Sequence, residues 1–204
     1  MHSQAAIEKA PRTAGPRGLA VLALLAAAFL PCAQAIAQDE KPGLFEVRSA
    51  SSELVDGVYN LDARLQYILS SEALVALESG VPLNIVIDIE VIENRRFWAD
   101  DTVATLAVKY QLQHHALSQR YLVRNLNSGD QESFATLYSA LNNLGRITGL
   151  PVIDAALLNK DRTHRIRIRS TLDFRDYSGA LRLIAFWLRD WHLQSEWFEW
   201  TLEQ

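Results

Sequence analysis

Arg165, Arg167 and Arg169 alternate along one short stretch of this chain, and no other residues in it are as well spaced to act together. In a strand, side chains two apart share a face. The three would then form a basic stripe, extended by Arg162 and Arg175, and guanidinium forks suit a phosphate, a carboxylate or an anionic lipid head group. The same stripe also fits a solvated sheet face answered by carboxylates on the next strand. Asp88 and Glu90 make a matching acidic stripe, and this structural reading is the favoured one. The second constellation is aromatic. Four of the five Trp (Trp187, Trp191, Trp197 and Trp200) crowd the end of the chain together with Phe186 and Phe198. Large flat rings make a platform for a sugar, peptide or lipid, but they also plug a core, and the core is the favoured role. Trp197 and Trp200 are an odd number apart, so in an unbroken strand they face opposite sides.

Other chemistry is thinly represented. His114 and His115 are adjacent, point to opposite sides of a strand and so chelate poorly; a place in a turn suits them better. His164 and His192 stand apart from them, and no carboxylate sits at metal-motif spacing. Ser, His and Asp are present without a nucleophile elbow, a zinc-protease motif or a glycine-rich phosphate loop. Acid pairs exist at Asp88 with Glu90 and at Asp100 with Asp101. An outward stripe on a strand is a poor place to raise a carboxylate pKa by burial. Arg95 and Arg96 beside Phe97 and Trp98 suggest an exposed loop with cation–π stacking. The chain has one Cys (Cys32) and one Met (Met1), which leaves everything after residue 32 without sulfur. Disulfides, catalytic thiols and Cys-based metal centres are thereby excluded from that part. No catalytic residue, metal or cofactor is called for, and the expectation is a protein that is not an enzyme.

Residues 1–37 have the pattern of an export signal. Lys9, Arg12 and Arg17 outweigh Glu8, Leu19–Leu30 is an uncharged run too short to span a bilayer, and Ala35-Ile36-Ala37 fits a signal-peptidase site. Two alternatives are an uncleaved N-terminal anchor and, more weakly, lipidation of Cys32. Cleavage takes three basic residues from 20 and one acidic residue from 24, leaving 17 against 23 and a net charge of −6. That balance argues against nucleic-acid binding. No later run is long enough to cross a membrane, so no span is expected once the signal is removed.

Residues 38–43 are a polar lead-in, and 44–204 should form a single domain. Three segments alternate strictly: Leu83–Val91, Ala104–His114 and His164–Leu172, each a half-buried strand. Leu44–Ala50, Val58–Leu69, Gln119–Leu126 and Leu193–Leu202 are weaker strands, with hairpin connections at Asp56-Gly57 and His114–Ser118. Ser70 and Glu72 ahead of Ala73–Glu78, with Gly80 and Pro82 beyond, predict a short helix. A second helix is expected over Asn127–Arg146, opened by a Ser128/Gln131 capping box and closed by Gly145 in the left-handed conformation. Ala180–Trp191 is a third. About seven strands and two or three short helices make a mainly β protein, an antiparallel β-sandwich.

Behind the apolar leader, FEVRSASSELVDGVYNLDARLQYILSSEALVALESGVPLNIVIDIEV and the chain end DWHLQSEWFEW resemble the proteobacterial exported family catalogued as a domain of unknown function, number 4390. The resemblance runs over roughly Leu44 to Leu202 and is most specific at Ser70–Val91 and Trp191–Trp200. It brings no catalytic motif and no site residue. At most it implies a periplasmic accessory role, beside a membrane sensor kinase of nitrogen-regulation type. The residues and the resemblance together lead to one expectation: a periplasmic, non-catalytic binding or accessory module of the cell envelope, whose partner is an envelope protein or an anionic ligand. The candidate contacts are Arg165, Arg167, Arg169, Trp197 and Trp200. The alternatives are an envelope hydrolase or carbohydrate-active enzyme, and an accessory to a membrane sensor kinase.

Overall fold

Alternating apolar residues organise the chain into two facing antiparallel sheets. The computed structural model describes residues 42–95, 100–173 and 193–202. They comprise β1 (Leu44–Val55), β2 (Val58–Ile68), α1 (Ser71–Glu78), β3 (Leu83–Glu93), β4 (Asp101–His115), β5 (Arg120–Asn125), β6 (Gln131–Phe134), α2 (Leu137–Leu144), β7 (Arg146–Asp154), β8 (His164–Asp173) and β9 (Phe198–Thr201). A single 3-10 turn, Ala155–Leu157, follows β7. One sheet has the order β1-β2-β7 and the other β6-β5-β4-β3-β8-β9. The protein is therefore mainly β and sandwich-like, with nine strands among the described residues where about seven were expected. These residues lie in one compact unit, Asp39–Gln204.

The core comes from period-two alternation. On β3, Leu83, Ile85, Ile87, Ile89 and Val91 are buried to the last percent; they lie beside Ile166, Ile168 and Leu172 of the neighbouring β8 and share one apolar cluster with Leu61, Ala63 and Leu65 of β2 in the other sheet. Each such aliphatic side chain contributes about 1.5–3 kcal/mol by leaving water. Leu172 and Ser170 continue the inward row of β8. Asp56 and Gly57 both have positive φ (51° and 82°), the geometry of a two-residue hairpin turn matched to strand twist.

A bulge in β1 changes which residues face inward. Val47 pairs with Leu65 and Ser49 with Arg64, so Arg48 is the extra residue. Before it, Phe45 and Val47 face inward. After it, Ala50 opposite Ala63 and Ser52 opposite Leu61 take the inward places.

The first predicted helix is α1, capped by Ser70, whose side chain accepts from the Ala73 N–H. The second is shorter than its spacing suggested. Asn127–Arg146 is not one helix: Gln131–Phe134 pairs with β5, and α2 begins only at Leu137, with Thr136 as its cap. Ser128 belongs instead to a turn, where its Oγ accepts from the Asp130 N–H and Asn125 Oδ1 accepts from the N–H groups of Asn127 and Ser128. Gly145 does follow the helix, but at φ −78° it is not left-handed. It is glycine because an added Cβ would run into the Leu65 carbonyl oxygen, and that close approach lets Leu65 N–H donate to Gly145 O at 2.8 Å. Strand β7 was not foreseen. The expected strand Leu193–Leu202 is limited to Phe198–Thr201 plus a bridge between Gln194 and Thr171. The candidate helix Ala180–Trp191 lies outside the described residues, as does the segment 1–37.

Candidate functional site

The predicted arginines emerge together on the outer face of the six-stranded sheet. Registration puts Asp88 opposite Arg169, Glu90 opposite Arg167, and Glu199 opposite Arg167 on the other side. Arg167 donates from Nε (2.9 Å) and Nη2 (2.6 Å) to Oε2 of Glu90. Arg169 Nη2 lies 3.5 Å from Asp88. With its carboxamide oxygen turned toward Arg169, Gln194 also accepts from Nε at 3.0 Å and Nη1 at 2.7 Å. Arg165 bridges Asp100 (2.6 Å) and Glu199 (3.3 Å). Three guanidinium groups thus meet four carboxylates, and the stripe carries no positive excess.

Trp197 completes this face. Its ring lies under both guanidinium groups, with the Cζ of Arg167 4.4 Å and that of Arg169 4.3 Å from the ring centroid. Cation–π contacts of this kind are worth about 0.5–1 kcal/mol each where partly exposed. Beside the ring is a cleft of about 230 Å³ lined by Arg169, Gln194, Ser195, Glu196 and Trp197. Trp200, inside β9 where Trp197 just precedes it, goes the other way. It pairs with the inward-facing Ile166, packs against the core, and its indole N–H donates to Ser52 Oγ on β1 at 3.0 Å. The five candidates therefore divide: Arg165, Arg167, Arg169 and Trp197 share the outer face, and Trp200 ties one sheet to the other.

The remaining sequence candidates are separated. Asp100 and Asp101 pair with different guanidinium groups, those of Arg165 and Arg95, and Asp100 also accepts from the Arg95 backbone N–H. His114 stacks on Tyr121 with centroids 4.9 Å apart, and His115 Nδ1 lies 2.8 Å from Ser118 Oγ. Both close β4 and so belong to the strand, not to the turn. His164 is fully buried, its Nε2 3.8 Å from Glu93. Arg162 stands in the turn ahead of β8. Arg96, Phe97, Trp98, Arg175, Trp187, Trp191 and His192 lie outside the described residues. Among the described residues, no group of three or more His, Cys, Asp or Glu is placed to hold a metal ion.

Two features had no local signal. Tyr67 on β2 and Ser170 on β8 share a buried hydrogen bond of 3.0 Å, and Ser195 Oγ accepts from the Ser170 N–H at 3.0 Å. Burial pushes the Tyr67 hydroxyl far above its ordinary pKa, the Ser170 bond opposing this only in part. Burial, with Glu132 second, also raises Tyr110. The other feature is a second group of basic residues, Arg48, Arg64 and Arg146, far apart in sequence and adjacent across the three-stranded sheet. Only strand registration could have revealed it.

Fold and face together define a mainly β, two-sheet protein with a charge-balanced arginine–tryptophan surface. Residues 44–201 match the model of the family described as Domain of unknown function (DUF4390), and the chain belongs to that family. No curated protein and no solved structure matches it. No helix among the described residues is long and apolar enough to cross a membrane.

Proposed function

We propose that this protein is a non-catalytic binding module of the bacterial cell envelope, exported to the periplasm by cleavage of residues 1–37, and that it docks another protein through the Arg167–Trp197–Arg169 face. The clamped ring of Trp197 is the observation that carries this reading. Trp and Arg are the residues most enriched where protein interfaces concentrate their energy. Here their rotamers are already held by Glu90, Asp88 and Gln194, which lowers the entropy lost on docking. The same carboxylates make a small anion the weaker choice of ligand, since it would have to displace them. The charged leader, the uncharged run Leu19–Leu30 and the small residues at 35–37 support export.

Site-specific photo-crosslinking in cells tests the reading. A probe at Trp197 should capture one discrete protein, and a probe at Lys160, in the turn ahead of β8, should not. N-terminal sequencing of the periplasmic form should begin at Gln38. Identical adducts from both probes, or a protein that retains Met1 and stays in the cytoplasm, would sink the proposal.

A further inference from the structure

The three-stranded sheet presents a second surface, on which Arg48 is paired with Glu46 but Arg64 has no carboxylate partner within 4.0 Å among the described residues. Pairing of β2 with β7 ends at Arg64 opposite Arg146, and the last bond on that side is from Leu65 N–H to Gly145 O. Main-chain groups two residues apart in a strand point the same way, so the N–H and C=O of Tyr67 face the side that β7 has left. Among the described residues no hydrogen bond reaches them from there. In place of a strand, α2 stands across a groove of about 510 Å³. The β2 wall is the run Arg64–Ile68, about 17 Å of extended chain. The opposite wall is one helical face, Tyr138, Leu141 and Asn142, with Tyr138 79% exposed.

Charge points to what this groove takes. Arg48 leans over its floor, donating to Gln66 Oε1 and Glu46 Oε1. Arg64 also lines it, and no carboxylate of the described residues comes within 4.0 Å of Arg64 or of Arg146. Like charges directly opposite in an antiparallel pair are destabilising, so this placement is costly to the fold by itself. An acidic ligand would relieve that cost.

We infer that the groove between β2 and α2 binds an extended acidic peptide segment of a partner protein, which adds as a strand to β2 at Gln66–Ile68. Its main chain bonds to Tyr67, a carboxylate of it meets the unpaired Arg64, and its apolar side chains rest on Tyr138 and Leu141. This is strand addition at an open sheet edge, in which backbone bonds give affinity and flanking side chains give selectivity. It concerns a different face from Trp197 and stands whether or not that face binds anything.

The probe is an acetylated eight-residue peptide alternating Glu with Val and Thr, titrated into the full-length chain by fluorescence anisotropy. Two control peptides carry Lys for Glu or N-methyl groups on alternate amides. Binding of the acidic peptide should slow hydrogen exchange at the Tyr67 amide. Both control peptides and the Arg64→Glu variant should bind at least tenfold more weakly, and Tyr138→Ala severalfold more weakly. Equal binding of the Lys peptide overturns the inference, as does exchange protection elsewhere or no loss from methylation. Arg64-dependent binding to phosphatidylglycerol vesicles in place of the peptide, or occupation of the groove by a second copy of the chain, also overturns it. Should Arg64→Glu fail to fold, the N-methyl comparison on the unaltered chain decides.

Discussion

The hydroxyl of Tyr67 and the Oγ of Ser170, 3.0 Å apart, join the two sheets by a hydrogen bond buried between them. The residues are 103 positions apart, and each is inward-facing on its own strand. Serine suits this place because a larger side chain would push the phenol away, and an apolar one would leave the phenol buried without a partner. Tyr67→Phe should cost about 1 kcal/mol, read from urea unfolding, since Ser170 keeps a 3.4 Å contact to the Val86 carbonyl.

Alkaline titration gives a second reading of the same pair. The folded state holds the Tyr67 proton to a higher pH than the unfolded chain, which releases it near pH 10. This contribution is fully present below pH 10 and is lost as pH rises above it, by up to about 1.4 kcal/mol per pH unit. Tyr67→Phe should flatten that part of the stability profile. An unchanged slope between pH 10 and 11 would contradict the assignment.

Arg167 and Glu90 offer a test of the outer face. Both side chains are less than a third exposed, and both arginine donors meet a single carboxylate oxygen. A double-mutant cycle of Arg167→Ala and Glu90→Ala should give a coupling of about 0.5–1 kcal/mol, reduced in 1 M salt.

The two tryptophans should differ in kind. Trp200→Ala empties a place beside the core and breaks the bond to Ser52, and should cost about 3 kcal/mol. Trp197→Ala removes stacking on two guanidinium groups, and should cost about 1–2 kcal/mol. Thermal melts of the two variants would rank them.

Glycine substitutions separate crowding from backbone strain. Gly145→Ala places a methyl group against the Leu65 carbonyl and should destabilise by about 3 kcal/mol or more. Gly149 sits at φ +59° with open space around it, so Gly149→Ala should cost only about 1 kcal/mol.

The strands with unbroken alternation were plain in the sequence because a half-buried strand writes its own burial pattern. Leu83–Val91 and His164–Leu172 are found where expected, each extended by a residue or two. Strand β7 was hidden. Gly149 and Pro151 interrupt it, and its ladder to β2 shifts register twice, which destroys any period of two. The segment before α2 misled for the opposite reason. Phe134 continues the helical spacing of Leu137, Leu141 and Leu144, yet partners for Gln131–Phe134 exist on β5, and pairing outweighs periodicity. Thr136→Ala should cost about 1 kcal/mol by uncapping the real helix start. At the site, Arg167 with Glu90 could be anticipated from two local stripes. Arg64 opposite Arg146 could not, because nothing near either residue announces the other.

Pro151 and the two register shifts in β7 also bear on how the protein behaves when concentrated. A proline has no amide hydrogen to offer a neighbouring chain, and a buckled ladder gives a poor template. On that flank, among the described residues, the straight backbone left open is the short stretch after Leu65, fewer residues than the six or seven from which fibrils grow. The gap that would admit one strand is thus too brief to propagate a stack of them, and resistance to fibril formation is built into the same edge.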